Sequence, residues 1–283
     1  MQIVELEFEE FFKVQSLFFE TKHLSFTIDA VIAGNSPGRV WVDQIKNPQS
    51  AFLWDKAHCY YFAGNPGNTK FNSAIKNLFS ETIIPYAIAN HRDVCKIEYS
   101  SIEWEPSLKG LLKNTLPTKR ERVFYVYKKE KIQERSDILP NDFIIQKIDE
   151  QLLKSTINNV DSIMDEINQC WNSIDDFLTI GFGFCLIHKP TNEDVSVQGW
   201  CTGEYFSEGK CGIGIETFSA YQERGFATAM TSAFVDYCLS VNIRPHWDAT
   251  VNNYASRRVA EKVGFEKIQD YTVLIGSFTK NDR

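Results

Sequence analysis

The stretch that most constrains the fold of this chain is CGIGIETFSAYQERGFATAM, residues 211–230. In it a strand pattern passes directly into a glycine-containing turn, and a helix pattern begins at once. Backbone N–H groups at a helix start point outward, and the helix dipole adds partial positive charge, so such a turn favours an anion. Gly225 and Ala227 would let a diphosphate approach the backbone closely. Taken alone, the pattern also fits an ordinary strand-to-helix turn.

The hydrophobic periodicity of the C-terminal half predicts a mixed order of strands and helices rather than an uninterrupted βαβ series. The expected elements are a strand at 143–148, a helix with one apolar face from 160 to 174, strands at 183–188, 195–202 and 211–218, a helix at 226–241, a strand at 246–251, a helix at 255–263 closed by Gly264, and a strand at 271–278. This order indicates the α/β (α+β) class.

The N-terminal half also reads as mixed α/β. We expect a helix at 8–19, a strand at 26–33, a hairpin at 51–63 and a helix at 71–88. The GNPGN run at 64–68 lacks the lysine and the spacing of a phosphate loop, so a plain loop is favoured. The charge-rich run KKEKIQERSDILPN, residues 128–141, predicts a linker between domains at 1–127 and 142–283.

Composition argues against several classes of function. A formal net charge of −7 argues against nucleic-acid binding and is compatible with a cationic small substrate. The start of the chain lacks a signal-peptide pattern and no run is apolar for long enough to span a membrane, so we expect a cytoplasmic protein without membrane partners. The seven cysteines include no C-x-x-C pair, so neither disulfides nor a metal site is expected.

A second segment, HWDATVNNYASRRVAEKVGF at residues 246–265, narrows the choice. Together the two segments resemble the GNAT acetyltransferase superfamily. The first motif of that superfamily is matched by Gln222, Gly225 and Ala227; the second is matched by Asn253, Ser256, Glu261, Lys262, Gly264 and Phe265. The resemblance implies a GNAT fold with a mixed, splayed central sheet in the C-terminal half. A smaller N-terminal α/β domain would precede it, and a degenerate copy of the same fold is one interpretation of that domain.

The resemblance also implies acetyl-CoA as the cofactor. Its diphosphate would lie on the amides from Glu223 to Thr228, and its pantetheine would run along the end of the strand at Glu216 to Phe218. The expected cofactor-binding residues are Thr217, Phe218, Gln222, Glu223, Arg224, Gly225, Phe226, Ala227, Thr228, Asn253 and Ser256.

Proton transfer needs a base near the reacting amine. Glu216 and Asp248 are the candidate catalytic residues, with a salt bridge or a solvated strand end as the alternative role of each; His246 ranks third. The tyrosine that commonly serves as the acid in this superfamily is replaced by Ala260. Tyr254 and Tyr271 are substitutes by proximity in sequence only.

The resemblance implies transfer of an acetyl group to a primary amine of a small polar molecule. A looser likeness to the zwittermicin A resistance acetyltransferases adds antibiotics to the candidate acceptors. Two alternatives stay open: a protein or peptide N-terminal acetyltransferase, and a non-catalytic acyl-CoA sensor, which Ala260 suggests. Trp200, Tyr205 and Phe206 are expected to line an acceptor pocket or to pack in the core. No pattern indicates a particular acceptor or oligomeric state.

Overall fold

The chain forms two compact units. The computed structural model describes residues 3–19, 23, 25–56, 59–92, 94–112, 117–128, 139–191 and 194–278. Unit 1 consists of Met1–Arg122 and Tyr271–Arg283, and unit 2 is Val123–Asp270. These boundaries differ from those suggested by composition, because they follow which strands pack together. Most of the predicted linker, 129–138, lies outside the described residues.

Unit 1 is built on a mostly antiparallel sheet. Its strands are β1 (Val4–Glu5), β2 (Arg39–Val42), β3 (Ser50–Trp54), β4 (Cys59–Gly64) and β5 (Val94–Tyr99), and its helices are α1 (Ser25–Ile32), α2 (Thr69–Leu78), α3 (Ile84–Ala89) and α4 (Glu105–Leu111), with a 3-10 helix at Phe8–Phe18. Neighbouring strands pair in the order β1-β2-β3-β4-β5, and only β4 and β5 are parallel.

Two expectations for unit 1 had opposite outcomes. The hairpin is confirmed, since β3 and β4 pair antiparallel from Ser50↔Gly64 to Trp54↔Tyr60. The strand expected at 26–33 is wrong, because Ser25–Ile32 is the helix α1. Five of its eight residues are buried. Such a short, nearly all-buried segment has no polar face whose period would separate a helix from a strand.

Unit 2 begins with the end of β6 (Thr118–Tyr127). It continues with β7 (Phe143–Lys147), α5 (Glu150–Leu153), α6 (Val160–Cys170), α7 (Ile174–Ile180), β8 (Gly183–His188), β9 (Ser196–Ser207), β10 (Lys210–Thr217), α8 (Phe226–Ser240), β11 (Arg244–Thr250), α9 (Tyr254–Val263) and the start of β12 (Phe265–Ser277). Strands β7 to β10 pair antiparallel in sequence order, and β10 pairs with β11 in parallel. The predicted mixed α/β class is confirmed.

The two units follow the same plan. In each, a first strand and helices lead to three antiparallel strands, a helix, a parallel strand, a further helix and a last strand. This repetition agrees with the expectation that the N-terminal half is a degenerate copy. Each unit contains the last strand of the other half of the chain. Leu274–Ser277 of β12 pair with β5 in unit 1, whereas Val123–Tyr127 of β6 belong to unit 2.

The cores are apolar and contain the thiols. All seven cysteines lie in the described part of the chain, where each is buried and unbridged, which confirms their interpretation as small apolar residues. Among the described residues, no helix has both the length and the apolar character needed to cross a bilayer.

The strand exchange predicts that the end of the chain stabilises unit 1. Leu274 is fully buried in the unit 1 core, so Leu274→Ala should lower the free energy of unfolding by about 2–5 kcal/mol. Ile268→Ala, on the same strand but 43% exposed, is the matched control and should change it by about 0.5 kcal/mol or less. Chemical denaturation measures both; equal losses would contradict this packing.

Candidate functional site

A gap opens between the two parallel strands of unit 2. The pairing of β10 with β11 is limited to Lys210↔Arg244 and Cys211↔Pro245. On its other side β10 stays paired with β9 as far as Thr217↔Gly199. From residue 212 to 217 one edge of β10 therefore has no partner in β11, over about 20 Å at 3.3 Å per residue. The predicted splay of the sheet is confirmed.

The loop after β10 turns sharply before helix α8. A 3-10 turn at Ser219–Tyr221 comes first, and two residues with left-handed backbone follow, Glu223 (φ 60°) and Gly225 (φ 85°). The side chain of Gln222 donates a hydrogen bond from Nε2 to the carbonyl of Thr217 at 2.9 Å. This bond ties the loop to the end of β10.

The start of α8 presents unused donors. Among the described residues, no acceptor is found for the backbone N–H groups from Glu223 to Thr228, and the Ala229 N–H is the first to bond within the helix, to Gly225 O at 3.1 Å. A Cβ on Gly225 would meet no heavy atom within 4 Å. Residues 222–225 are exposed, so this turn with its unbonded amides is accessible to an anion.

Arg224 adds a positive charge beside these amides. Its guanidinium carbon lies 5.4 Å from the ring centre of Phe143, 5.5 Å from that of Tyr221 and 5.0 Å from that of Phe226. Three aromatic faces around an exposed cation hold it in place. The loop thus combines main-chain donors with a positioned guanidinium.

The loop at the equivalent position of unit 1, residues 64–68, has bonded amides and no open space at its first glycine. There the N–H groups of Asn65 and Gly67 are bonded to Gln49 O and to the Asn65 side chain, and Phe71 N–H bonds to the Asn68 side chain. A Cβ on Gly64 would meet Gln49 O at 2.1 Å. The plain loop expected at 64–68 is what the structure contains.

The parallel strands of unit 1 also stay closed. Strands β4 and β5 pair from Cys59↔Lys96 to Phe62↔Tyr99, and the Ser100 N–H then bonds to Phe62 O at 2.9 Å. Four consecutive register pairs leave no gap of the kind seen between β10 and β11. Among the described residues, an open gap together with unbonded loop amides is found in unit 2 and not in unit 1.

The residues of the second motif support helix α9. The Asn253 side chain caps the helix by accepting from Ser256 N–H at 3.1 Å, and the Ser256 hydroxyl accepts from Trp247 Nε1 at 3.0 Å. Ala260 is fully buried in the core of unit 2. A nearby phenol that the motif did not indicate is Tyr125, whose hydroxyl bonds to Glu261 at 2.9 Å.

The candidate acid and base residues differ in their exposure and in their position relative to the gap. Glu216 is exposed near the end of β10 and Asp248 is half-buried on β11, so both stand on the strands that border the gap. Tyr254 is 67% exposed at the start of α9. Tyr271 belongs to unit 1, where it accepts a hydrogen bond from Arg122.

His246 is a buried histidine. Its ring lies 5.4 Å from that of Phe124. Burial, together with the positive charges of Lys210 and Arg244, lowers its pKa to about 4. The imidazole is therefore neutral at pH 7.

A cluster of carboxylates on β9, β10 and α6 was missed by the motif search. Glu166 of α6 and Glu204 of β9 are hydrogen-bonded to each other, and the negative charge of Glu216 acts on Glu166. Burial raises the pKa of Glu166; the bond to Glu204 lowers it and Glu216 raises it. The available signal was a glutamate set among the buried positions Ile163, Ile167 and Cys170 of α6.

The three aromatic residues considered for an acceptor pocket are all buried. Phe206 packs on Trp171 and Phe182, at ring-centre distances of 5.5 and 5.2 Å, which is a core role. Trp200 contacts Phe218 at 5.8 Å, and its Nε1 is enclosed without a hydrogen-bond partner among the described residues.

Comparisons with known proteins agree with this geometry. The model of the GNAT acetyltransferase family matches residues 16–274. The chain is 26% identical over 255 residues to the uncharacterized N-acetyltransferase YdfB of Bacillus subtilis (strain 168), covering 90% of this chain and 92% of YdfB. It has the fold of a GCN5-related N-acetyltransferase-like protein from Streptococcus suis 89/1591, with TM-score 0.67, 19% identity and 95% and 98% coverage of this and that chain. A tandem GNAT protein from the clavulanic acid biosynthesis pathway shares the fold at TM-score 0.55 and 10% identity, with 98% of each chain covered.

The lowered pKa of His246 predicts a pH dependence of stability. The folded pKa, about 4, lies below the ordinary value of 6.5, so the unfolded chain binds the extra proton between these values. The histidine should therefore lower the unfolding free energy as pH falls from 6.5 to 4, by about 3 kcal/mol in all. Denaturation of wild type and His246→Gln across this range measures the difference, and a difference that is constant with pH would contradict the burial.

Proposed function

The chain belongs to the GNAT acetyltransferase family, and from this premise we propose that it uses acetyl-CoA to acetylate a primary amine of a small polar molecule. The observation that carries the proposal is the set of free N–H groups from Glu223 to Thr228 at the open end of the gap. A diphosphate would satisfy these donors and meet the start of the α8 dipole. From the membership of this family we also propose a cytoplasmic location.

The residues around the loop fit the cofactor. Open space at Gly225 leaves room for phosphate oxygens, and the guanidinium of Arg224 supplies a matching charge. Further contacts are proposed for Thr217, Phe218, Gln222, Glu223, Phe226, Ala227, Thr228, Asn253 and Ser256. The free edge of β10 would pair with the pantetheine amides as an added strand would. When bound, the cofactor supplies the activated acetyl group.

The proton transfers are assigned to residues on either side of the gap. An amine attacks only in its neutral form, so a carboxylate has to take up its proton directly or through water. Glu216 and Asp248 are the proposed bases, because each lies on a strand that borders the gap. His246 is less suited, since it is buried and flanked by cationic residues.

The small-amine acceptor is supported by the carboxylates near the gap. Glu166, Glu204 and Glu216 together favour a cationic molecule. On the sequence likeness to zwittermicin A resistance acetyltransferases, an antibiotic amine is one such candidate. Acetylation of protein N-termini is the alternative with the same chemistry, and a panel of small amines against peptides separates the two. A non-catalytic sensor would bind acetyl-CoA but release no thiol in response to any amine.

The cofactor site is tested by Gly225→Glu. The new carboxylate would enter the space beside the free amides and repel a diphosphate, so acetyl-CoA affinity should fall by more than about 100-fold. Isothermal titration measures the affinity.

The matched control is Gly225→Ala, which has the same unfavourable left-handed backbone (φ 85°) without the charge. It should lose much less affinity, and melting curves should show both variants folded. Unchanged acetyl-CoA binding by Gly225→Glu would overturn the site.

The double role proposed for Asn253 predicts a separation of stability from binding. Asn253→Asp keeps an N-cap of about equal strength but places a negative charge near the proposed phosphates, so acetyl-CoA affinity should fall while the melting temperature holds. Asn253→Ala should instead cost about 1 kcal/mol of stability. Equal affinity in wild type and Asn253→Asp would limit Asn253 to capping.

A further inference from the structure

We propose that unit 2 has a second ligand site, at the opposite end of β10 from the loop of residues 218–225, and that this site binds a small phosphate monoester. Lys210 and Arg244 would hold its phosphate group. Lys210 and Thr217 are the two ends of β10, seven residues apart, so the site lies about 23 Å from the loop that follows Thr217. The inference is therefore independent of the proposed acetyl transfer.

A cavity of about 420 Å³ opens beside the first residues of β10 and β11. Its lining includes the cations Lys128, Lys210 and Arg244 and the apolar side chains of Leu239 and Ile243. All of them belong to unit 2. Pockets for small molecules begin at about 300 Å³, so this volume suits a compact organic molecule. The net charge of −7 argues against a long polyanion as the ligand.

Two like charges stand side by side at this cavity. Lys210 and Arg244 are register partners on parallel strands, so their Cα atoms are about 4.8 Å apart and their side chains leave the same face of the sheet. Like charges in facing positions destabilise a sheet. Among the described residues, neither side chain forms an ion pair or a hydrogen bond, whereas Lys128 is paired with Glu266 at 3.3 Å. An anion bound between the two cations would remove their repulsion.

The negative groups nearby do not cancel the two charges. Glu208 also lines the cavity, but it forms no ion pair with either cation within the described part of the chain. The end of α8 borders the cavity as well, and a helix C-terminus carries only about half a negative charge. The carbonyls of residues 237–239, in its last turn, already accept from backbone N–H groups of residues 241–243. A positive excess is therefore left at the cavity.

The buried His246 shows that this excess acts on its surroundings. It follows Arg244 by two residues on β11 and so lies on the same face of the sheet. Burial lowers its pKa, and the charges of Lys210 and Arg244 lower it further, to about 4. The same two charges that disfavour a proton on this ring would favour an anion in the cavity beside it.

The cations and the apolar walls together indicate the class of ligand. A phosphate monoester carries about two negative charges at pH 7 and has three acceptor oxygens, which suits an ammonium ion beside a guanidinium fork. A phosphate group alone would leave most of the 420 Å³ empty. Leu239 and Ile243 therefore favour a small apolar or aromatic body on the ester.

The test titrates the protein with phenyl phosphate and follows backbone amide signals by NMR. We expect a Kd of about 1 mM or below, with shifts at Gly209 and Asn242, which line the cavity. Lys210→Gln and Arg244→Gln should each weaken binding about 10-fold or more, the loss expected for a charge-assisted hydrogen bond. The matched control is Arg258→Gln, an exposed cation on α9, which should bind as wild type does.

Melting curves separate a ligand site from a structural role of the two cations. Without ligand, Lys210→Gln and Arg244→Gln should melt at or above the wild-type temperature, because each removes a repulsion. Phenyl phosphate should raise the melting temperature of wild type and of Arg258→Gln, and not of these two variants. Loss of melting temperature in both variants without ligand, together with unchanged binding, would make the cations structural and overturn the site.

Three further outcomes would also contradict the proposal. Equal shifts with sodium chloride at matched ionic strength would reduce the effect to charge screening. Equal affinity for phenol would remove the role of the phosphate, and equal affinity for inorganic phosphate would remove that of the apolar walls. Shifts confined to residues 222–228 would place the anion at the loop instead. Acetyl-CoA is titrated separately, so failure of the proposed function would leave this site standing, and the reverse.

Discussion

The early end of pairing between β10 and β11 is the constraint on which the rest of the site depends. After two register pairs the strands separate, and the edge of β10 is left with main-chain groups that no neighbouring strand satisfies. The same strand leads into a turn whose amides have no acceptor within the described chain. Unsatisfied backbone groups are costly when they are enclosed, so a protein keeps them only where water or a ligand takes their place. Here they lie along the edge of β10 and in the loop that follows it, where the proposed cofactor would satisfy them.

The repeated plan of the two units shows how little separates a unit with an open gap and unbonded loop amides from one without them. Unit 1 has the same order of elements, yet its loop amides are bonded to Gln49, Asn65 and Asn68, and its parallel strands remain joined. Backbone hydrogen bonds, rather than architecture, distinguish the two units. Family likeness over residues 16–274 is therefore compatible with a cofactor site in the C-terminal unit alone.

Sequence reasoning found the elements whose signals are local. The turn at Gly225, the cap at Asn253 and the strands of unit 2 each follow from neighbouring residues, and the structure has them in place. It did not find the Glu166–Glu204 pair, because these residues come together only when α6 packs on β9. It also gave a strand for α1, where burial on nearly all sides hides the period. The exchange of last strands has no local signal at all.

That exchange has a consequence for biosynthesis. The edge of β5 is covered by Leu274–Ser277, which are synthesised long after β5 itself. During translation of everything in between, the N-terminal sheet would exist with an open edge and part of its core uncovered, a state prone to mispairing with other chains. A chaperone that shields strand edges would therefore be needed most while the second half is still being made. Neither half would be expected to serve as an autonomous module in a gene fusion.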